Sequence, residues 1–508
     1  MTRHRPPALR SVIQSATTGT SWVANPSAIA LVSALLVALG VLGIVRGSAS
    51  VINPHVFSYY VINYEVGLIR RGLVGEVWSW FLPQGDLRAI RSILLAYYWP
   101  LVAVLFLSLL CWVMTIELRR RDFLFSGLFA VFLASQFMPT LAYDVGFLDV
   151  FVFLLVVAAT AALAGRRYAV VAFAGAIGPF IHEGFLFYWL PVIVVGLWEE
   201  RSLRRGIVLA LPLASVVCIY LFASKEIAIA QMSASPLPDP DKQEAIAQQF
   251  GQTLLTNLVM IAIKYRNYPV NVLAAIAFFT LPALAIIGVY ATARRQMAAM
   301  IVLALSAAGP LLLLTIAWDL SRFLVASVFT VLIATLYMET VRPAPRATWL
   351  LPTACATLAF ALVQVPFTYA YFEVAKVADV GPESLRNGPV GRLTQKAVAF
   401  YSRAIGPVTS ERHGQDTLPP GNAWFVEEDI WRGTWIRRRD TNEFDAAMTL
   451  PNGSIVTYTV TVERDGETII AHRNLGGHDR LDYVGKLNGR SISGTYAGGY
   501  WFAQIEPR

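Results

Sequence analysis

Acidic, basic and imidazole side chains occur at four places between long apolar segments of this 508-residue chain. A carboxylate can act as a general base, and an arginine fork binds phosphate oxygens in pairs. A histidine beside a carboxylate can move protons or bind a metal ion. The nine candidate site residues are Glu65, Arg70, Arg71, Asp144, Asp149, His182, Glu183, Asp319 and Arg322.

The first group follows the first apolar segment, in the sequence YEVGLIRRGLVGE at 64–76. The pattern of basic connections places Arg70 and Arg71 outside, against the rule that positive charge stays inside, so a local interaction is expected to hold them there. Phosphate binding is one such interaction. Contact with lipid headgroups, or pairing with Glu65 and Glu76, is the alternative.

The second group is Asp144 and Asp149, just before and at the start of a later apolar segment. The simplest explanation of such a carboxylate is an N-cap, whose oxygen accepts hydrogen bonds from the first helical N–H groups. A cap explains one acid more readily than two. The pair is therefore a candidate for acid–base work.

The third and fourth groups also lie next to apolar segments. His182 and Glu183 interrupt one, and ionisable residues at membrane depth are functional candidates by default. A hydrated polar turn is the alternative. Asp319 and Arg322 are three residues apart, so they could pair with each other on one helical face. The alternative is that Arg322 binds an anionic headgroup or pyrophosphate.

Hydrophobic helices must position all four groups. Hydrophobic residues make up 56% of the chain and charged residues only 15%, against about 25% charged in soluble domains. Many apolar runs approach the ~20 residues that cross a bilayer. We predict an all-α polytopic membrane domain with about eleven transmembrane helices, near Ser27–Val45, Ser92–Ile116, Phe123–Thr140, Leu148–Leu163, Tyr168–Ile181, Gly184–Trp198, Gly206–Ala223, Val270–Thr292, Ala298–Trp318, Phe323–Met338 and Thr348–Val365.

Short basic connections predict the topology. Every second connection is basic, which indicates the cytoplasmic side, and the N-terminal tail is basic too. Eleven crossings then put the N-terminus inside, the C-terminus outside and all four polar groups outside, in a bacterial-type cytoplasmic (inner) membrane. The net charge of +8 therefore indicates topology and no nucleic-acid partner. The basic connections are Arg119–Arg121, Arg166–Arg167, Arg201–Arg205, Arg294–Arg295, and Arg342 with Arg346.

Residues 168–198 are long enough to form one tilted helix. Two short helices meeting at His182–Glu183 are preferred, because charge at the bilayer centre is costly. A single helix would also place two successive basic connections on opposite sides of the membrane. The polar segment Ser224–Leu255 reads as an external loop with a helical turn near Gln243–Gln249, of a kind that often binds substrates.

The pattern changes from about Trp431 to short alternating segments with turn dipeptides such as Asp465–Gly466 and Asn488–Gly489. Such hairpin signals predict a small all-β antiparallel barrel or sandwich of about seven strands. We expect a cytoplasmic tail at 1–26, the membrane domain at 27–366, an external linker at 367–421 and the β-rich domain at 422–508. The linker should hold an amphipathic helix near Leu393–Ala404 on the membrane surface.

Several well-defined motifs are absent from the sequence. It has no Walker A loop, no Gly-x-Ser-x-Gly elbow and no His-Glu-x-x-His zinc helix. Its cysteines, Cys111, Cys218 and Cys355, lie in apolar runs without zinc spacing. The functional interpretation therefore depends on the four groups taken together, because their acids and arginines are all predicted on the external side of the membrane.

This layout resembles the GT-C class of polytopic membrane glycosyltransferases. Members of that class take a sugar from a polyprenyl-phosphate carrier at the outer membrane face, with a catalytic acid in the first external loop and a further acid in a later one. The matching positions are Glu65, and Asp144 or Asp149, with the external domain from Trp431. The class commonly has Asp in the first loop, often as an acidic pair, where this chain has Tyr64 and Glu65.

The resemblance implies an assignment for each candidate. Glu65 would take the proton of the acceptor hydroxyl, and Arg70, Arg71 and Arg322 would hold the phosphate. Acceptor or metal would be positioned by the remaining polar residues, and the need for a divalent metal is left open. Partners would be membrane lipids, the polyprenyl-linked sugar, and a cell-envelope glycan or glycolipid acceptor. The positioning residues are Asp144, Asp149, His182 and Glu183.

Two other functions fit the same pattern. A lipid-linked polysaccharide polymerase would also use external arginines, and it is expected to have a larger external loop. A transporter or flippase with an attached binding domain predicts inverted repeats and charge in mid-membrane. The sequence shows no clear repeat.

Overall fold

The structure is a computed structural model. It describes residues 26–48, 54–65, 67–69, 71–81, 87–199, 202–234, 254–315, 319–370, 372, 375–378, 380–404, 421–428, 431–439, 441–449, 455–474, 480–496 and 499–506. Arg70, the basic N-terminal tail and the predicted turn near Gln243–Gln249 lie outside these residues. The chain forms two compact units, Met1–Pro407 and Val408–Arg508.

The first unit is built of helices. In chain order these are α1 (Pro26–Gly47), α2 (Pro54–Val61), α3 (Gly72–Ser79), α4 (Leu87–Arg120), α5 (Leu124–Ala134), α6 (Phe137–Tyr143), α7 (Asp149–Ala164), α8 (Tyr168–Ile181), α9 (Phe185–Glu199), α10 (Leu203–Phe222), α11 (Lys225–Ala234), α12 (Leu254–Asn267), α13 (Pro269–Arg294), α14 (Met297–Leu311), α15 (Leu320–Val341), α16 (Leu350–Val363), α17 (Glu383–Asn387) and α18 (Pro389–Ala404). A 3₁₀ turn, Leu312–Thr315, extends α14.

Within the described ranges, five helices are long and apolar enough to cross a bilayer. They indicate a membrane protein, because about 20 apolar residues span the hydrocarbon core. The five are Pro26–Gly47, Ile90–Arg120, Pro269–Arg294, Met297–Thr315 and Leu320–Val341. The pair α5 and α6, bent by 41°, would make a sixth span.

Each of the eleven predicted apolar segments contains helix, but eleven crossings are not confirmed. The helices α7, α8, α9 and α16 have only 14 to 16 residues each, short of the usual span. The prediction of two helices in 168–198 is confirmed, since α8 ends at Ile181 and α9 begins at Phe185. Gly178 makes this sharp break possible, because a side chain there would overlap the ring of Phe185.

Helix α15 lies in the middle of the helical unit. It is buried from Leu320 to Glu339 and packs against α7, α9, α13 and α14. A helix that is apolar on all sides belongs in the core of a bundle. Its two charged residues lie near its ends, Arg322 at the start and Glu339 at the end. By the rise of a helix they are about 25 Å apart.

A two-stranded hairpin, β1 (Thr368–Ala370) with β2 (Ala375–Val377), follows α16. Its β1 strand contacts α15, and α18 packs on β2. The helix that was predicted near Leu393–Ala404 is α18, which begins earlier, at Pro389.

The second unit is a closed antiparallel barrel in which each strand pairs with the next and β10 closes against β3. Burial alternates along β3 and β5, so every second side chain fills the interior. Trp424, Trp435 and Trp501 form its centre. The strands are β3 (Ala423–Glu428), β4 (Trp431–Arg437), β5 (Glu443–Thr449), β6 (Ile455–Asp465), β7 (Thr468–Asn474), β8 (Arg480–Asn488), β9 (Ser491–Tyr496) and β10 (Gly499–Ile505).

Of the two predicted β architectures, the structure therefore has the barrel. The predicted set of seven strands omits Ala423–Glu428, the strand that closes the barrel by pairing with β10. The Asp465–Gly466 and Asn488–Gly489 signals are confirmed as turns, where Gly466 and Gly489 adopt φ values of 59° and 62°. That left-handed conformation favours glycine.

Candidate functional site

Arg322 lies at the start of α15, and two carboxylates hold it. Its Nε is 3.0 Å from Asp149 Oδ2, and its Nη1 is 3.2 Å from Asp319 Oδ2. The guanidinium lies over the ring of Phe147, 4.4 Å from the ring centre. The predicted pairing of Asp319 with Arg322 is present, and Asp149 joins it from another helix.

Asp149 is the first residue of α7 and is buried. The N-cap position belongs to Leu148, whose side chain makes no cap hydrogen bond. The capping role that the sequence allowed for Asp149 is therefore replaced by an ion pair with Arg322. The Tyr188 hydroxyl donates to its other oxygen at 3.3 Å.

Arg71 forms a second ion pair with Glu183. Its Nε donates to Oε2 at 2.8 Å and its Nη2 donates to Oε1 at 2.5 Å, a two-pronged contact. Arg71 has a φ of 60°, a left-handed conformation that costs a non-glycine residue of order 1 kcal/mol or more. The strained backbone is thus at the same residue whose side chain pairs with Glu183.

Tyr59 lies between the two ion pairs. Arg71 Nη1 donates to its hydroxyl at 3.2 Å. Its ring is 5.9 Å from the ring of Phe147, which lies under Arg322. The two arginines therefore belong to one polar cluster, hereafter the Arg322 cluster. Its members are Arg71, Asp144, Asp149, His182, Glu183, Asp319 and Arg322.

His182 is buried at the break between α8 and α9. The backbone N–H of Gly184 donates to its Nδ1 at 2.9 Å, so the proton of the neutral ring is on Nε2. Burial, and then the charge of Arg71, lower the pKa of His182 to about 4. The Nε2 atom is buried and has no hydrogen-bond partner among the described residues, which leaves an N–H donor without an acceptor.

Asp144 is half-buried between α6 and α7 and lines a small cavity with Asp149, Phe147 and Arg322. The cavity has a volume of about 10 Å³, room for about one water molecule. Burial, and then the negative charge of Asp319, raise the pKa of Asp144 well above its usual range. A carboxylate with a raised pKa holds a proton more readily, which suits a general base.

The charges of the cluster do not balance. Two arginines face four carboxylates when all are ionised, while His182 is neutral. Among the described residues, an anionic ligand can therefore pair with Arg71 or Arg322 only if a carboxylate is protonated or moves away from that arginine. No group of three or more His, Cys, Asp and Glu side chains able to hold a metal ion occurs in the described part of the chain, so the donor set gives no support to a metal centre.

The structure brings seven of the nine predicted residues together. Glu65 is exposed, and its backbone N–H donates to Asn63 Oδ1 at 3.1 Å. Glu76, proposed as an alternative partner of the arginines, accepts hydrogen bonds from Tyr64 N at 2.9 Å and Trp80 Nε1 at 3.0 Å. Arg70 lies outside the described residues.

Sequence reasoning missed Tyr188 and Phe147 as members of the site. Tyr188 lies in the apolar helix α9, where nothing in its spacing separates it from core aromatics. Phe147 lies between the two predicted acids, but its role as the ring under Arg322 needs the partner helix. Tyr59 could have been suspected from the sequence, because it is an aromatic residue close to the first polar group.

The fold and the site together define a membrane protein with a buried polar cluster at one end of its helical unit and a closed eight-stranded barrel in its second unit. No protein-family model, curated protein or solved structure matches the chain.

Proposed function

We propose that the protein is a membrane glycosyltransferase of the GT-C kind, which moves a sugar from a polyprenyl-phosphate donor to a cell-envelope glycan or lipid. The observation that carries the proposal is the Arg322 cluster itself. Residues from four separate connections, each preceding or following an apolar helix, meet in one buried group. Such a concentration of ionisable residues next to membrane helices is typical of a functional site.

The chemistry needs a base and a phosphate clamp. The acceptor oxygen bonds to the anomeric carbon of the sugar, the bond between that carbon and the phosphate oxygen breaks, and polyprenyl phosphate leaves with the electron pair. A carboxylate takes the acceptor proton. Glu65, exposed on its loop, and Asp144, beside the cavity, are the two candidates for that base.

Arg71 and Arg322 would stabilise the charge on the leaving phosphate, and His182 Nε2–H would donate to one of its oxygens. Both arginines are paired with carboxylates. Donor binding therefore requires an exchange in which a phosphate oxygen replaces Glu183 on Arg71.

The test is transfer from radiolabelled polyprenyl-phosphate sugars by the purified full chain in detergent. Glu65→Gln and Asp144→Asn each remove one candidate base, and Asp445→Asn, on an exposed barrel position, is the matched control. Loss of turnover in one of the first two variants, with the control active and both folded, identifies the base. Full activity in both removes the two residues from the mechanism.

A coupled transporter is the second candidate, because broken helices surround the cluster. The bend between α5 and α6, the break between α8 and α9, and the 3₁₀ turn after α14 all lie in apolar segments. Transporters place binding sites where helices are discontinuous. Substrate-driven proton uptake by proteoliposomes, lost in Asp144→Asn, would favour this function. Its absence, with sugar transfer present, would favour the transferase.

A further inference from the structure

Helix α18 carries an apolar stripe that is exposed among the described residues of the first unit. Leu393 and Phe400 are 66% and 74% exposed, and Ala397 lies exposed between them. These residues follow each other at helical spacing, so they share one face. A different face docks onto the protein, where Thr394 is buried and Val398 packs against the core of the helical unit.

The hairpin under α18 lies at the end of a membrane-length helix. The Asn271 amide donates to the carbonyl of Phe372, in the turn of the hairpin. Phe372 packs with Val272 and Ile261. Because α13 begins at Pro269, this contact places the hairpin where a spanning helix leaves the hydrocarbon, and α18 rests on that hairpin.

Basic side chains lie beside the stripe. Arg392 and Lys396, one turn apart on α18, are exposed, and they share the flank of the stripe away from Val398. An apolar face with basic residues along one edge matches a bilayer surface that carries anionic headgroups.

We propose that α18 lies in the membrane interface, with Leu393 and Phe400 among the acyl chains and Arg392 and Lys396 on anionic headgroups. The contact fixes the hairpin beside the Arg322 cluster, where Tyr143 packs against the rings of Phe367 and Tyr369 at 5.1 and 6.1 Å. The inference stands independently of the proposed transferase activity, because it rests on the helix and its supports alone.

The test places an environment-sensitive fluorophore on the full chain in nanodiscs. The three native cysteines are replaced by alanine, and Leu393→Cys or Phe400→Cys receives the label. Gln395→Cys, exposed on the other side of the helix, is the matched control. With brominated acyl chains, the labels at 393 and 400 should be quenched at least about twofold more than the label at 395, since only buried positions meet the chains.

A second arm tests the headgroup chemistry. In nanodiscs of phosphatidylglycerol, Lys396→Gln should lower the ratio of inserted to non-inserted helix about fivefold, the equivalent of about 1 kcal/mol for one basic side chain at an anionic surface. Nanodiscs of purely zwitterionic lipid should also lower the insertion of the unmodified helix, because they lack anionic headgroups. Equal quenching at 393, 395 and 400 overturns the proposal. A label at 393 that is shielded from water but not quenched also overturns it, because another protein surface would then cover the stripe.

Discussion

The two ends of α15 hold buried ionic groups of different kinds. At its last turns, Glu339 meets Arg120 and Asp122, hereafter the Arg120 network. At its first turn, Arg322 belongs to the Arg322 cluster. Both groups are buried in the same helical unit, so burial alone does not distinguish structure from function. The two groups differ in how completely their side chains are hydrogen-bonded.

Every polar side-chain atom of the Arg120 network has a partner. Arg120 donates to both oxygens of Asp122, to Glu339 Oε1 at 2.6 Å, and to the carbonyls of Ala344 and Pro345. Asp122 and Glu339 also accept backbone N–H groups. A fully satisfied network rigidifies the structure around it, and this one ties the ends of α4 and α15 to the connection that follows α15.

The Arg322 cluster is incomplete by comparison. Within the described residues, His182 Nε2 has no acceptor, and Arg322 Nε and Asp149 Oδ2 are paired at 3.0 Å without the alignment of a hydrogen bond. Unsatisfied buried groups are costly unless something else satisfies them. One end of α15 therefore has a complete network that stabilises the fold, and the incomplete hydrogen bonds at the other end support the proposal that a ligand binds there.

The largest effect is expected for Arg120→Met. It leaves Asp122 and Glu339 buried without their cation, which should destabilise the protein by about 3–5 kcal/mol. Thermal unfolding in detergent measures it, and Arg119→Met, on the exposed neighbouring residue, is the control. If the two variants unfold at the same temperature, the structural role of the Arg120 network is refuted.

Next comes Arg71→Lys, which keeps the charge of the Arg322 cluster but loses the two-pronged contact with Glu183. If the cluster holds phosphate, sugar transfer should fall about 100-fold, with little change in unfolding temperature. Arg120→Lys is the matched substitution in the other region, and it should lower stability rather than turnover per folded molecule. The reverse pattern would exchange the roles assigned to the two regions.

Asp144→Asn should change how stability depends on pH. Because the pKa of Asp144 is raised in the folded state, the folded protein binds the proton more tightly than the unfolded chain. Its contribution is therefore complete below the unfolded pKa of about 3.9 and is lost as pH rises through the folded pKa. Unfolding temperatures measured from pH 4 to 8 should fall more steeply for the wild type than for Asp144→Asn. Parallel curves would contradict a raised pKa of Asp144 in the folded protein.

The smallest effect is expected for Asp445→Asn on the barrel. Arg438 Nη2 is 2.5 Å from Asp445 Oδ1, but both side chains are largely exposed. Its hydrogen bond lowers the pKa of Asp445, so the pH dependence has the opposite sign and stability is lost as pH falls. Exposed pairs contribute little because water and salt screen them. A barrel that unfolded in this variant would show that exposure is a poor guide in this protein.

Much of the site could be found from the sequence because charge is rare between its apolar segments. Asp149 and Arg322 stood out for that reason, although 173 positions separate them. Their pairing could not be predicted, since it depends on α7 and α15 packing side by side. The role of Arg120 was also hidden. Among basic residues counted as topology signals, Arg120 and Arg294 are in fact buried and hydrogen-bonded.

The amino-acid sequence alone predicted the apolar helices and most strands, because hydrophobic periodicity and turn dipeptides act over a few residues. It did not predict the short helices α2, α3 and α11, which form in segments that were predicted as connections. It also determined that the helices are apolar enough for a membrane. The pairing of acids with arginines, and the closure of the barrel by Ala423–Glu428 against β10, are seen only in the folded protein. Those contacts join residues that are far apart in the chain, and local residue patterns do not specify which distant segments pack together.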